Sequence, residues 1–173
     1  VEFLHQNEIN FIFWVPTIMV NIANHDLLKE LELNHLRTVF FAREVFPTKH
    51  LNYWRKHIPE ALFVNLYGPI EITVDCTYYV VDRELMDDEA LPIGIPCRNT
   101  DILILDENNE LTKTNQSGEL CIRGSSLALG YWNDPEKTNK AFVQKYPLNH
   151  EIPFRSKVSP DARNYRGFKG KSD

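Results

Sequence analysis

Apolar residues arrive in short dense runs, and between them they recur every three or four positions. The run INFIFW, residues 9–14, is β-branched and aromatic and predicts a buried strand. Pro16 then stands at a first-turn position and opens a helical pattern through Met19, Ile22, Leu27, Leu28 and Leu31. LRTVFFA, residues 36–42, repeats the strand signal, and Pro47 starts a second helix through Leu51, Trp54 and Ile58. ALFVNLYG, residues 61–68, supplies a third strand. Strands that alternate with helices predict an α/β fold with a parallel sheet covered on its faces.

After residue 90 the texture changes. TDILILDENNELTKTNQSGELCIRG, residues 100–124, reads as two strands joined by Asn-, Asp- and Gly-rich turns, a β-rich and antiparallel pattern. NDPEKTNKAF, residues 133–142, adds one short helix with Asn133 or Asp134 as its N-cap and Pro135 at its first position. LPIGIP, residues 91–96, is the joint between the halves. Residues 1–90 are thus expected to form a partial α/β subdomain and residues 91–173 a β-rich one.

Composition narrows the function. A chain of 173 residues, 43% apolar and 25% charged, suits a globular fold. A net charge of −5, with Lys and Arg scattered, offers no footprint for nucleic acid. The longest apolar stretch, FIFWVPTIMVNIA, is broken by Pro16 and Asn21 and falls short of the roughly 20 residues that a membrane helix needs. Cys76, Cys97 and Cys121 lack metal or disulfide spacing, which fits a reducing cytoplasm, and the six His show no ligand pattern. Val1 is not an initiator Met, so the chain is expected to be a piece of something longer.

The chemistry concentrates where the third strand ends. In parallel sheets ligands meet the carboxyl ends of strands, which singles out Tyr67, Gly68 and Glu71. An aromatic face can stack on a base, a glycine admits close backbone approach, and a carboxylate can hold Mg²⁺ against phosphate oxygens. The same residues also read as an ordinary Tyr-Gly-Pro turn.

NLYGPIE, residues 65–71, resembles the N-x-Y-G-P-T-E motif of the adenylate-forming (AMP-binding) superfamily, specifically amino-acid adenylation domains of nonribosomal peptide synthetases and D-alanine:carrier-protein ligases. GELCIRGSSLALGYWNDPEKTNKAF, residues 118–142, is similar to a second family block in the family's order. FWVPT, EVFP at residues 44–47, PIGIP and the final FKGKSD extend the resemblance over essentially the whole chain.

The resemblance implies part of a large N-terminal domain, with a parallel α/β layer followed by a distorted barrel-like subdomain. It implies an ATP- and Mg²⁺-dependent ligase that joins an amino acid or related carboxylic acid to AMP, releases pyrophosphate, and passes the acyl group to a carrier-protein phosphopantetheine thiol. Carried over by position, Glu71 serves catalysis and Mg²⁺, Tyr67 stacks on adenine, Asn65 bonds its exocyclic edge, Gly68 admits the ligand, and the loop at Glu44 forms the other wall of the adenine slot. Lys171 binds the nucleotide in place of an Arg, without its fork geometry. Asp173 is the hinge residue toward a C-terminal domain. Phe13, Phe40, Ala42, Leu66, Val74 and Asp75 line the acyl pocket, and the apolar ones read equally as core. Gly118, Gly124 and Gly130 mark turns and close packing.

Several positions depart from the family pattern. Ile70 replaces the Thr and cannot donate a hydrogen bond. Arg43 replaces a Gly before Glu44, so its side chain either blocks the slot or forces the backbone out of a glycine conformation. The ribose-gripping T-G-D segment has no match in PFRSKVSPDARNYRGFKGKSD. The family's phosphate loop is expected upstream of Val1 and its adenylation lysine beyond Asp173, and the chain by itself is expected to be inactive. The departures also leave open a degenerate nucleotide-binding or scaffold module, and an acyl-CoA ligase is the enzyme alternative.

Overall fold

The alternation of strand and helix read from the first half is present in order. In the computed structural model, which describes residues 1–143 and the backbone of 156–157, α1 (Glu2–Gln6) precedes β1 (Phe11–Trp14), α2 (Pro16–Asn24), β2 (Thr38–Phe41), α3 (Thr48–His57) and β3 (Leu62–Tyr67). The three strands lie side by side and parallel, with Ile12 beside Val39 and Val39 beside Phe63. Alternation along each strand sends Ile12, Val39, Phe41 and Phe63 to one face, and all four are buried in a single cluster with Met19, Ile22, Leu51 and Trp54 from the two helices.

Pro16 occupies the first turn of α2, where its missing N–H removes no helical bond. Trp54 joins the helices: it is fully buried, and its Nε1 donates to the Met19 carbonyl at 2.9 Å. The second helical pattern is α3 as expected, with Pro47 as its N-cap. The first stops early. The sequence extends it through Leu31, but α2 ends at Asn24, because Asp26 takes a left-handed φ of 55° and Leu28 N–H is drawn to Tyr53 Oη at 3.1 Å. Leu28 remains a core residue without being helical.

Two compact units share the chain. Val1–Tyr67 with Tyr78–Gly94 form the first, and Gly68–Thr77 belong with Ile95 and the residues beyond it. The boundary expected near residue 90 is therefore not a single cut, because the chain leaves the first unit at Gly68 and returns to it at Tyr78. β4 (Thr77–Val80), which enters the first unit at Tyr78, neighbours β3, and Val81 N–H bonds the Phe63 carbonyl at 2.9 Å.

The second unit opens with a 3₁₀ turn, Ile70–Ile72, and continues with the two-residue β5 (Ile95–Pro96), β6 (Thr100–Leu105), β7 (Glu119–Gly124), α4 (Pro135–Ala141) and β8 (Ser156–Lys157). β6, β7 and β8 form an antiparallel sheet that pairs Ile102 with Ile122 and Cys121 with Lys157. The expected antiparallel texture is there, but the barrel-like closure is not among the described residues: this sheet has three strands. Asp106 builds the turn after β6 by accepting from the N–H groups of Asn108 and Glu110, each at 2.9 Å. Asp134 is the N-cap of α4 and accepts from Lys137 N–H at 2.9 Å, with Pro135 at the first position.

Trp54→Phe is expected to lower unfolding stability by about 2 kcal/mol, because it removes the indole's hydrogen bond to the Met19 carbonyl and leaves part of a fully buried side chain's space unfilled. Urea denaturation followed by circular dichroism checks this through the shift in midpoint.

Candidate functional site

The carboxylate singled out in the sequence sits on a turn with unusual backbone. Thr73 and Val74 both have left-handed φ, 61° and 92°, which β-branched residues rarely adopt. They curl back over Gly68, where an added Cβ would lie 2.4 Å from the Val74 carbonyl oxygen and 2.6 Å from Asp75 Cα. A glycine is required there by space, not by φ. Glu71 lies between these points, in the 3₁₀ turn, and is half-buried.

Residues far along the chain hold this turn. Ala128 N–H donates to the Glu71 carbonyl at 2.8 Å, and Thr73 Oγ1 donates to the Ser126 carbonyl at 2.8 Å. The Tyr131 hydroxyl donates to Glu71 Oε1. That bond, together with burial, pushes the Tyr131 phenol up to about 12, so the hydroxyl keeps its proton across the physiological range. The second family block thus supplies partners for the first. Tyr131, Thr73 and Ser126 were not singled out from the sequence, and the only signal for Tyr131 was its place in the Gly-Tyr pair of that block.

The remaining candidates divide between the units. In the first, Phe13 and Phe40 meet edge to face at 6.4 Å, and Ala42 is buried. Asn65, near the end of β3, donates through Nδ2 to the Pro92 carbonyl at 2.8 Å, which orients the amide and leaves Oδ1 as its acceptor. Leu66 and Tyr67 follow it, both half-buried. In the second unit lie Gly68, Glu71, Val74 and a half-buried Asp75. Tyr67 and Glu71, close in sequence, belong to different units. Lys171, Asp173 and the segment that lacks T-G-D are outside the described residues.

The Glu44 side chain is engaged within the first unit. Its Oε2 accepts from Thr17 N–H at 2.9 Å and from Thr17 Oγ1 at 2.5 Å, so the side chain closes the N-terminus of α2, where a carboxylate also meets the positive end of the helix dipole. The contact joins the FWVPT and EVFP segments physically. Arg43 resolves the choice posed by its sequence: the backbone keeps the glycine-like conformation, φ 81°, with the side chain exposed.

What could Glu71 hold? Among the described residues no group of three or more His, Cys, Asp or Glu could bind a metal by itself. A hard cation such as Mg²⁺ is commonly held by one or two carboxylates with water and substrate phosphates, and a single half-buried carboxylate with one oxygen bonded to a phenol fits that donor set. No helix among the described residues is long and apolar enough to cross a membrane.

Residues 1–132 match the family of AMP-binding enzymes. The chain belongs to that family. It is an adenylation-domain sequence of the nonribosomal peptide synthetase type. Gramicidin S synthase 1 of Brevibacillus brevis is 34% identical over 142 residues, 82% of this chain and 12% of that protein. Zwittermicin A synthase ZmaJ of Bacillus cereus is 31% identical over 157 residues, 88% of this chain and 30% of that protein. This AMP-binding chain therefore spans only a minor part of the length of those relatives. Among solved structures, the Vibrio cholerae adenylation domain AlmE, crystallised with glycyl-adenosine-5'-phosphate, aligns with a TM-score of 0.77 at 28% identity, over 90% of this chain and 29% of that one.

Two glycine-related substitutions are expected to act in opposite directions. Gly68→Ala forces the Val74 and Asp75 backbone away and costs about 1–3 kcal/mol, whereas Arg43→Gly relieves a left-handed residue and gains about 1 kcal/mol. Thermal melts of the two variants beside the parent protein provide the check.

Proposed function

We infer that this adenylation-domain chain serves ATP-dependent activation of an amino acid or related carboxylic acid. A carboxylate oxygen of the acid attacks the α-phosphorus of ATP, the bond to the bridging oxygen breaks, and pyrophosphate leaves with that electron pair. The sulfur of a carrier-protein thiol, giving up its proton, then attacks the acyl carbonyl carbon, the bond from that carbon to the phosphate oxygen breaks, and AMP leaves. The observation that carries this reading is Glu71 itself, held on a strained turn by contacts from the second family block. Strained backbone persists where the surroundings over-determine it, and functional sites are where that happens.

The chain's own residues take these roles. Glu71 presents a carboxylate to the cation and phosphates, and Asn65 and Tyr67 serve the base, Asn65 through the oxygen that its bond to Pro92 leaves as an acceptor. Mg²⁺, when bound, neutralises charge on the phosphate oxygens. Phe13, Phe40, Leu66, Val74 and Asp75 are proposed to shape the acyl pocket, and Lys171 to contact the nucleotide. A reducing cytoplasm is the proposed compartment, and Cys76, Cys97 and Cys121 as thiols agree with it. Burial pushes the Cys76 thiol up to about 12, so it is no nucleophile at neutral pH.

Ile70 favours a second reading. It is 73% exposed at the start of the turn and brings no hydroxyl to a place where phosphate charge would need a donor. A nucleotide-binding or scaffold module that has lost turnover has this property too.

Pyrophosphate exchange by the full-length protein across an amino-acid panel tests the ligase. Exchange with one acid or a small set is expected, and ATP binding without exchange would leave the scaffold reading in its place. Glu71→Gln is expected to lower the exchange rate about a hundredfold and to raise the Mg²⁺ concentration that exchange requires, with a smaller effect on the KM for ATP, as loss of a cation ligand does. Ile70→Thr is expected to raise the rate about fivefold, the value of one added hydrogen bond. An unchanged rate in that variant excludes position 70 as a phosphate contact.

A further inference from the structure

The loop from Ser126 to Tyr131 touches the Glu71 turn three times, and the contacts are not equivalent. Ala128 N–H to the Glu71 carbonyl and Thr73 Oγ1 to the Ser126 carbonyl, both 2.8 Å, fasten backbone. The third, from the Tyr131 hydroxyl to Oε1, reaches the carboxylate. The Tyr131 ring is itself fixed: Phe142 meets it edge-on at 5.8 Å, Lys137 Nζ stands 4.2 Å from its centroid, and Tyr131 N–H bonds Thr138 Oγ1 at 2.9 Å. The ring contacts make no use of the hydroxyl.

We propose that Tyr131 is a positioning residue for Glu71, its hydroxyl holding Oε1 so that the carboxylate meets the cation in one orientation. The proposal rests on the reading of Glu71 as the Mg²⁺ carboxylate. A ligating carboxylate is ordinarily oriented by an outer hydrogen bond, and loss of such a partner weakens metal affinity or activity about 10–100-fold. Without it Glu71 must give up rotamer freedom at the moment the cation binds. The donor is anchored by α4, through Thr138, Lys137 and the helix-ending Phe142, so this helix sets the carboxylate through Tyr131.

Tyr131→Phe in the full-length protein keeps the ring and removes only the hydroxyl. It is expected to raise the Mg²⁺ concentration at half-maximal pyrophosphate exchange about tenfold while leaving the KM for the amino acid within about twofold. Electron paramagnetic resonance of Mn²⁺ binding with α,β-methylene-ATP is expected to show the same loss of affinity without turnover. p-Aminophenylalanine at position 131, which restores a donor, is expected to recover most of it. Added to Glu71→Gln, the Tyr131→Phe change is expected to have no further effect on cation dependence. Unchanged or tighter cation binding in Tyr131→Phe, beside a Glu71→Gln variant that is impaired, overturns the positioning role alone. If Tyr131→Phe melts early and the amino analogue restores folding without restoring cation affinity, the hydroxyl is structural and the proposal also falls. If Glu71→Gln keeps normal cation binding, the reading of Glu71 fails, and the proposal with it.

Discussion

The Val74 and Asp75 backbone passes so close to Gly68 that no side chain fits there, and the geometry of the candidate site follows from that approach. To come back over Gly68 within a few residues, the chain puts Thr73 and Val74 into left-handed conformations that disfavour β-branched side chains. Such a turn does not hold itself. It is over-determined by bonds to Ser126, Ala128 and Tyr131, and the same bonds fix Glu71. Strain, close packing and the placement of the candidate carboxylate are therefore consequences of one local arrangement.

The first unit shows the same economy in another form. The ladder of β1, β2 and β3 orders the strands so that Asn65 arrives near a strand end, and Pro92 then selects which face of its amide is used. Glu44 and Thr17 tie the loop after β2 to the start of α2. Arg43 stands between that tie and buried Ala42, which explains why the backbone retains a glycine-like φ although the residue is an arginine: its neighbours are held on both sides.

Much of this was legible beforehand. Short apolar runs and a 3.6-residue period identified β1, β2, β3 and α3, because a buried face demands regular spacing, and Pro16, Asp134 and Pro135 marked helix starts, because their chemistry suits a helix end and little else. The antiparallel pair β6 and β7 was visible from its Asn- and Gly-rich turns. The length of α2 was not: Leu27, Leu28 and Leu31 keep the helical period, but the bond from Leu28 to Tyr53 and the turn at Asp26 come from tertiary packing.

The sequence by itself determined the family, the alternation of β1, α2, β2, α3 and β3, and the identity of Glu71 as the residue to watch, since motif and periodicity are local and survive without coordinates. Only the tertiary structure decided that Glu44 is spent on Thr17, that residues 68–77 leave the first unit for the second, and that Tyr131 grips Glu71. The physical reason is separation along the chain: Glu44 and Thr17 are 27 positions apart and Tyr131 and Glu71 are 60 apart, and a hydrogen bond across such a gap leaves no period in the sequence to read.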